Sequence, residues 1–296
     1  MNPAACCYLV DASVYIFRAW FSLPPELSDP AGRPTNALYG FAGFLCALLE
    51  ETSAERIALA FDSASRGNFR NALYPAYKAN RAPTPDELKV QFPWCRELAE
   101  ALGLACHSHP RYEADDLIGT LAKTARGSGA RVVVVSSDKD LCQVLAAGDH
   151  WWDHARQVRL DPARVQDKFG VPPAWIADFL ALTGDSVDNI PGIPGIGRKT
   201  AARLLHLFDG WDGLWQNLDR VPKAKLRGAA AIAERLAAGR PQAELARRLT
   251  HLETAVDGLD HAQAIRRGAA DRARLTLLIE RFGFGPTLSR RLLGLA

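Results

Sequence analysis

Three unbroken apolar runs, each closed by a carboxylate, organise the first half of the chain. They are Cys6-Cys7-Tyr8-Leu9-Val10 before Asp11, Arg56-Ile57-Ala58-Leu59-Ala60-Phe61 before Asp62, and residues 131–137 before Asp138. Hydrophobicity that does not alternate, at strand length, predicts strands buried on both faces, as in a parallel sheet. Helical periodicity falls between them, over residues 38–51 and 87–102 and from Tyr112 to about Arg126, giving a β-α-β order and an α/β class. In such sheets ligands bind beyond the carboxyl ends of the strands, where all three aspartates are expected. From about residue 172 the strand signals fade. Helical segments follow at 174–183, 198–208, 229–238, 242–252 and 271–282, punctuated by Gly and Pro. The division predicted is an α/β core over 1–172 and a helical region over 173–296.

Composition bounds this picture without redirecting it. With 296 residues, 48% hydrophobic and 23% charged, the chain can bury a proper core and is neither disordered nor fibrous. No apolar stretch approaches the roughly 20 residues that span a bilayer, and no basic residue precedes the apolar start, so a soluble, cytoplasmic, monomeric protein with no membrane partner is expected. The six cysteines make no CxxC pair, which removes zinc ribbons and redox motifs from consideration. Charge is divided unevenly. Residues 1–197 carry a net −5 and residues 198–296 a net +8, which suggests cations held in the first part and a polyanionic partner on the second.

Two more acidic clusters join the strand-end aspartates: Glu113-Ala114-Asp115-Asp116 opening a helix, and Gly184-Asp185-Ser186-Val187-Asp188 closing one. With Asp138-Lys139-Asp140, nine carboxylates stand at segment ends. Any one of them could be a helix cap or a turn residue. Nine converging on one sheet edge would repel one another unless cations neutralise them. Oxygen donors without His or Cys suit Mg²⁺ or Mn²⁺, and two such ions stabilise both oxygens of a phosphodiester displacement. Residue types alone therefore indicate metal-dependent phosphoryl transfer or hydrolysis.

Residues 63–84 hold Arg66, Arg70, Lys78 and Arg81 and no carboxylate, with Phe69, Tyr74 and Tyr77 between them. Cations and rings interleaved in this way suit a single-strand channel, although a solvated loop would account for the charges equally. Residues 189–200 form a glycine-rich hairpin between two predicted helices. It misses the P-loop pattern, because Arg198 stands between Gly197 and Lys199 and no strand precedes it. Its isoleucines can pack between the helices while glycine amides, Lys199 and a helix N-terminus offer a phosphate site that reads no base.

Together these motifs resemble the bacterial 5′-nuclease family, the 5′→3′ exonuclease and flap endonuclease domain found at the start of DNA polymerase I and as free-standing proteins. The likeness runs from Val10-Asp11 and Phe17-Arg18-Ala19 through Phe61-Asp62, Phe69-Arg70, Tyr77-Lys78, Arg81, Glu113 to Asp116 and Asp138-Lys139-Asp140. It continues through Gly184 to Gly192 and Gly195 to Ala201. The resemblance implies a PIN-like core, a helical arch near residues 63–95 and a helix-three-turn-helix over about 174–208. It implies that Asp11, Asp62, Glu113 and Asp115 serve one Mg²⁺ or Mn²⁺ ion with Asp116 close by, and that Asp138, Asp140, Asp185 and Asp188 serve a second. Arg70, Tyr77, Lys78 and Arg81 would handle the 5′ strand and scissile phosphate. Arg18, Arg66, Gly192, Gly195, Gly197, Arg198, Lys199 and Thr200 would contact DNA, with a monovalent cation such as K⁺ at the hairpin. Ser137 stands where many members have Gly, which alters a turn without removing a ligand. The implied partner is DNA with 5′ ends or flaps, and any polymerase partner is expected to be a separate molecule.

Two other readings remain. A PIN-type RNA endonuclease would share the core and metals but not need the glycine hairpin or the long basic region. A DNA-binding protein that does not cut would have no use for nine acids facing a phosphate backbone.

Overall fold

The computed structural model describes residues 6–63 and 67–296. The three apolar runs form the centre of a six-stranded sheet in the order β3-β2-β1-β4-β5-β6. Its strands are β1 (Cys6–Asp11), β2 (Ile57–Ala60), β3 (Ala105–His107), β4 (Arg131–Val135), β5 (His150–Asp153) and β6 (Val158–Leu160). The first five run parallel and β6 closes the edge antiparallel to β5. Along β1, Cys7 and Leu9 enter one core, and Cys6, Tyr8 and Val10 enter the other. Burial on both faces is the physical reason for the unbroken pattern in the sequence. The chain leaves β1 toward β2 on one side and returns to β4 on the other. That reversal opens a crevice at the carboxyl ends of β1 and β4.

Helices α1 (Ala12–Ser22), α2 (Asn36–Thr52), α3 (Phe69–Leu73), α4 (Asp86–Lys89), α5 (Gln91–Ala101), α6 (Ala114–Gly127) and α7 (Pro162–Phe169) alternate with the strands. After them come α8 (Ile176–Thr183), α9 (Arg198–Leu207), α10 (Gly210–Gln216), α11 (Ala229–Thr250), α12 (Arg272–Phe282) and α13 (Pro286–Gly294). Helices α6, α8, α9 and α11 cover one face of the sheet. Helices α1, α2 and α5 cover the other, where α12 and α13 join them through Leu275, Leu278, Phe282, Leu288 and Leu292. The segment leading to α12 is stitched to the α5–β3 turn by Gly268 N–H donating to the Gly103 carbonyl at 2.7 Å and Asp271 N–H to that of Ala101 at 2.8 Å. No described helix is long and apolar enough to cross a membrane.

Two sequence expectations change here. The pattern predicted separate helices at 229–238 and 242–252, yet α11 runs through Gly239 and Pro241 without a break. Gly239 lies against Ile193, where a Cβ would come within 2.9 Å of the isoleucine side chain, so the small residue serves packing against the hairpin. The expected helix over 87–102 is divided at Val90 into α4 and α5. Within the expected arch segment, the described residues hold the short helices α3 and α4 and the start of α5.

Candidate active site

The crevice is built from strand ends. Asp11 closes β1 and caps α1, accepting from Val14 N–H at 3.2 Å. Its other oxygen accepts from the Ser136 hydroxyl at 3.0 Å, and the same hydroxyl accepts from Asp138 N–H at 3.0 Å. One buried hydroxyl thus ties together the acids at the ends of β1 and β4. Beyond β2, Asp62 N–H donates to the Ser13 hydroxyl and its carboxylate accepts from Ala114 N–H, both at 3.0 Å. This second bond fixes the start of α6 against the sheet. Ser13 and Ser136 were not among the sequence-derived site residues, because a small hydroxyl next to an acid gives no local signal of what it will reach.

Glu113 stands at the N-cap of α6 and Asp115 and Asp116 in its first turn, where the helix dipole favours negative charge. Asp116 departs from its expected place near a metal. It is wholly buried, and its two oxygens accept from both guanidinium nitrogens of Arg70 at 2.7 and 2.8 Å, from Glu113 N–H at 3.0 Å and from Glu253 N–H at 2.8 Å. Four donors saturate the carboxylate. Arg70 is correspondingly removed from substrate handling. It is 1% exposed and also donates to the Leu249 and His251 carbonyls. The pair joins α3, α6 and the end of α11, so both residues position the site rather than act in it.

Residues 74–81 fold down onto the loop that follows α8. Lys78 N–H donates to the Asp188 carbonyl at 3.0 Å, Asn189 Nδ2 to that of Ala76 at 2.7 Å, and Asn80 Nδ2 to that of Ser186 at 2.8 Å. This docking brings Lys78 Nζ to 2.7 Å from Glu113 and 3.7 Å from Asp188, and pairs Arg81 with Asp188. Both cations thus stand beside the acids, as the sequence led one to expect. Tyr77 does not present a stacking face. Its ring is buried and its hydroxyl bridges Glu113 at 2.9 Å and Asp188 at 3.1 Å. Burial and those two charges push its phenol far above the ordinary range, which keeps it a donor.

Lys139, which the sequence left without a role, lies 2.9 Å from Asp140 and 3.3 Å from Asp185. Burial opposes ionisation of Asp185, but the Lys139 charge and N–H donation from Val187 and Asp188 outweigh it and hold its carboxyl below the usual range. Elsewhere burial and crowding prevail. Burial, reinforced by the charges of Asp62 and Asp138, pushes the Asp11 carboxyl up to about 7. Asp140 is raised to about 7 by burial and by Asp138, and Asp115 well above the ordinary value by burial, Asp138 and Asp11. An all-oxygen donor set whose members suppress one another's ionisation suits a hard divalent cation. Among the described residues no three acids, histidines or cysteines are gathered closely enough to hold an ion by themselves. The expected convergence of nine carboxylates is therefore corrected. Asp116 is withdrawn, Glu113, Asp140, Asp185 and Asp188 face the chain's own cations, and among the described residues Asp11, Asp62, Asp115 and Asp138 have no ion pair.

Between α8 and α9, Ile190, Ile193 and Ile196 are buried as their spacing suggested. Gly192 is there for close approach rather than for a ligand, since a Cβ would lie 2.2 to 2.4 Å from the Thr183–Gly184 backbone. Gly195 adopts φ +79° and Gly197 caps α9, both exposed. Arg198 lies over the Phe179 ring at 4.9 Å, Lys199 projects into solvent and Thr200 is half-buried in the first turn of α9. Arg235, on α11, reaches the Gly195 carbonyl at 3.4 Å and adds a cation to the hairpin. Arg18 is exposed on α1, and Arg66 lies outside the described residues.

Comparison with known proteins agrees with this geometry. Residues 6–170 match the 5′-3′ exonuclease N-terminal resolvase-like domain, and residues 171–273 match the 5′-3′ exonuclease C-terminal SAM fold. DNA polymerase I of Rhizobium leguminosarum is 41% identical over 256 residues, covering 84% of this chain and 24% of that protein. The Bacillus subtilis DNA polymerase I is 38% identical over 293 residues, covering 95% and 32%. The chain thus spans about a quarter to a third of the length of these curated relatives. In fold it is similar to the T5 5′-exonuclease, solved with bound zinc, with a TM-score of 0.67 at 18% identity over 98% of this chain and 97% of that one. With a PIN-like, resolvase-like sheet domain followed by a SAM-like helical fold in the family's order, the chain belongs to the 5′-3′ exonuclease family of nucleases.

Proposed function

We propose that this chain is a structure-specific 5′ nuclease that hydrolyses DNA phosphodiester bonds with two divalent cations, Mg²⁺ or Mn²⁺. The observation that carries the proposal is the pairing of four unneutralised acids, Asp11, Asp62, Asp115 and Asp138, with the displaceable cations Lys78, Arg81 and Lys139 around one crevice. Asp11, Asp62, Glu113 and Asp115 would hold one ion, and Asp138, Asp140, Asp185 and Asp188 the other. When bound, such ions supply Lewis-acid stabilisation of the charge on the attacking and leaving oxygens.

The chain's residues account for the rest. As Glu113 and Asp188 turn from their internal partners, Lys78 and Arg81 become free to hold the scissile phosphate and stabilise charge developing on it. Ser13 and Ser136 keep three strand-end acids in register. Tyr77, Arg70 and Asp116 keep α6 and residues 74–81 fixed against the crevice. On the other flank, the Gly195 and Gly197 turns with Lys199, Arg198 and Thr200 would grip duplex backbone without reading bases, and K⁺ is the monovalent ion proposed there. A junction with duplex on the hairpin side and an unpaired 5′ strand on the Lys78 side fits both flanks. A DNA polymerase is the protein partner proposed, given that the relatives carrying this region are DNA polymerases I.

The test is a side-by-side incubation of 5′-flap, 3′-flap, blunt and single-stranded DNA with Mg²⁺, Mn²⁺ or EDTA. Preferential 5′-flap cutting near the junction, abolished by EDTA, is expected. Equal cutting of both flap polarities, or faster cutting of RNA hairpins, would favour the RNA endonuclease reading.

A further inference from the structure

Behind the Arg70–Asp116 pair lies a cleft of about 360 Å³, lined by Phe69, Arg111, Arg248, His251 and Glu253 among others. That is room for one base. The Phe69 and Tyr112 rings meet edge to face with centroids 5.7 Å apart, and the His109 ring lies tilted against Tyr112 at 4.8 Å. Arg111 lies 5.8 Å from the Tyr112 centroid and, like Arg248, is exposed with no carboxylate in ion-pair reach among the described residues. The Glu253 carboxylate is turned to its own backbone, accepting from Thr254 and Ala255 N–H at 2.8 and 2.9 Å, and His251 is paired with Asp178. Two unpaired guanidinium groups beside a row of rings form a surface for a base and the phosphates next to it.

The cleft is also near the acids. Phe69 N–H donates to the Arg111 carbonyl at 3.1 Å, and Arg111 is two residues from Glu113, a backbone span of at most about 7 Å and on the order of one nucleotide step. Base faces are available only in unpaired strands, so the ligand that fits is single-stranded DNA rather than duplex. We propose that the cleft lined by Phe69, Arg111 and Arg248, with Tyr112 against Phe69 at its edge, is a stacking subsite for the unpaired 5′ strand of the substrate, one or two nucleotides beyond the crevice. This rests on the 5′-nuclease reading.

The experiment is fluorescence anisotropy in EDTA, where no cleavage occurs, with duplexes bearing 5′ tails of none, two and six nucleotides and a 3′-tailed control. The intact protein, Arg111→Ala/Arg248→Ala and Tyr112→Leu are compared, with melting curves to verify folding. The intact protein should bind the 5′-tailed duplex on the order of tenfold tighter than the tail-less one, and each variant should lose most of that gain. Tail-less binding should not change. For the double arginine variant, the slope of log affinity against log salt should shrink by about 1.4 for the tailed duplex alone. Variants that keep the whole gain, or that weaken tail-less binding equally, would overturn the subsite while leaving the nuclease reading intact. A 5′ tail that adds nothing to the intact protein would overturn the subsite as well, whereas failure of the nuclease reading would show as no 5′-flap cutting with Mg²⁺ or Mn²⁺.

Discussion

The inner acids of the crevice and the outer acids around it are built from the same residue type and treated oppositely. Asp11, Asp62, Asp115 and Asp138 bond to hydroxyls and amides or to nothing charged, and burial keeps Asp11 and Asp115 reluctant to ionise. Glu113, Asp140, Asp185 and Asp188 each face a lysine or arginine of the chain itself. The difference teaches that the fold supplies its second tier with cations of its own, even where burial and Asp138 still hold Asp140 up to about 7, and leaves the first tier for something it does not encode. A charge that the polypeptide cannot compensate is an address for an external cation.

The largest effect should come from breaking the inner tier. Asp115→Ala or Asp138→Ala should slow cleavage by ~10³-fold or more, since metal stabilisation of the transition state amounts to several kcal/mol. DNA binding measured in the same preparations should be unchanged or tighter, because a charge facing the phosphates is gone. Substantial Mg²⁺-dependent cutting by Asp115→Ala would sink the assignment. Single-turnover rates for Lys78→Ala and Arg81→Ala probe the outer tier, and slowing by on the order of 10²-fold is expected from losing one charge stabiliser. Wild-type rates there would return residues 74–81 to a structural role.

The contrast sharpens with pH. In metal-free protein the folded carboxyls of Asp11 and Asp140 titrate near 7, above the ordinary value of about 4 for the unfolded chain. Between those limits the native state binds more protons, so the contribution of these two groups to stability is fully present below about pH 4 and is lost as pH rises through 7. Urea midpoints in EDTA should show this decline, and saturating Mg²⁺ should flatten it. A metal-free profile that rises over the same range would contradict the crowding. The smallest effect concerns the hairpin. Gly195→Val forces a branched residue into φ +79°, at a cost of about 1–3 kcal/mol, and should weaken duplex binding several-fold. Unchanged affinity in the folded variant would free the turn from any role in DNA contact.

Much of this was legible where chemistry and chain pattern coincide. The apolar runs of β1, β2 and β4 announce themselves because both faces are buried, and each delivers its acid to the crevice. The strands β3 and β6 are only partly buried and β5 opens on a histidine, at or toward the sheet edges, so none shows an unbroken apolar run. Partnerships between distant residues were also hidden. Nothing near Arg70 shows that Asp116, 46 residues later, will claim it, nor that Lys139 will face Asp185. Sequence identified which side chains carry charge, while topology decided which of them remained free.

The placement of α12 and α13 bears on the order in which the protein is made. Their Leu275, Leu278, Phe282, Leu288 and Leu292 complete the core that α2 and α5 begin, on the sheet face opposite α6 and α11. Residues synthesised after residue 271 therefore seal a layer laid down first, and that side of the sheet stays open until α12 and α13 have been translated. A ribosome-bound chain stopped before residue 272 should expose the Leu38, Leu45 and Leu49 side of α2 and call for chaperone cover. The crevice acids hang from strands of that same sheet, so a fully formed crevice would wait on the translation of α12 and α13.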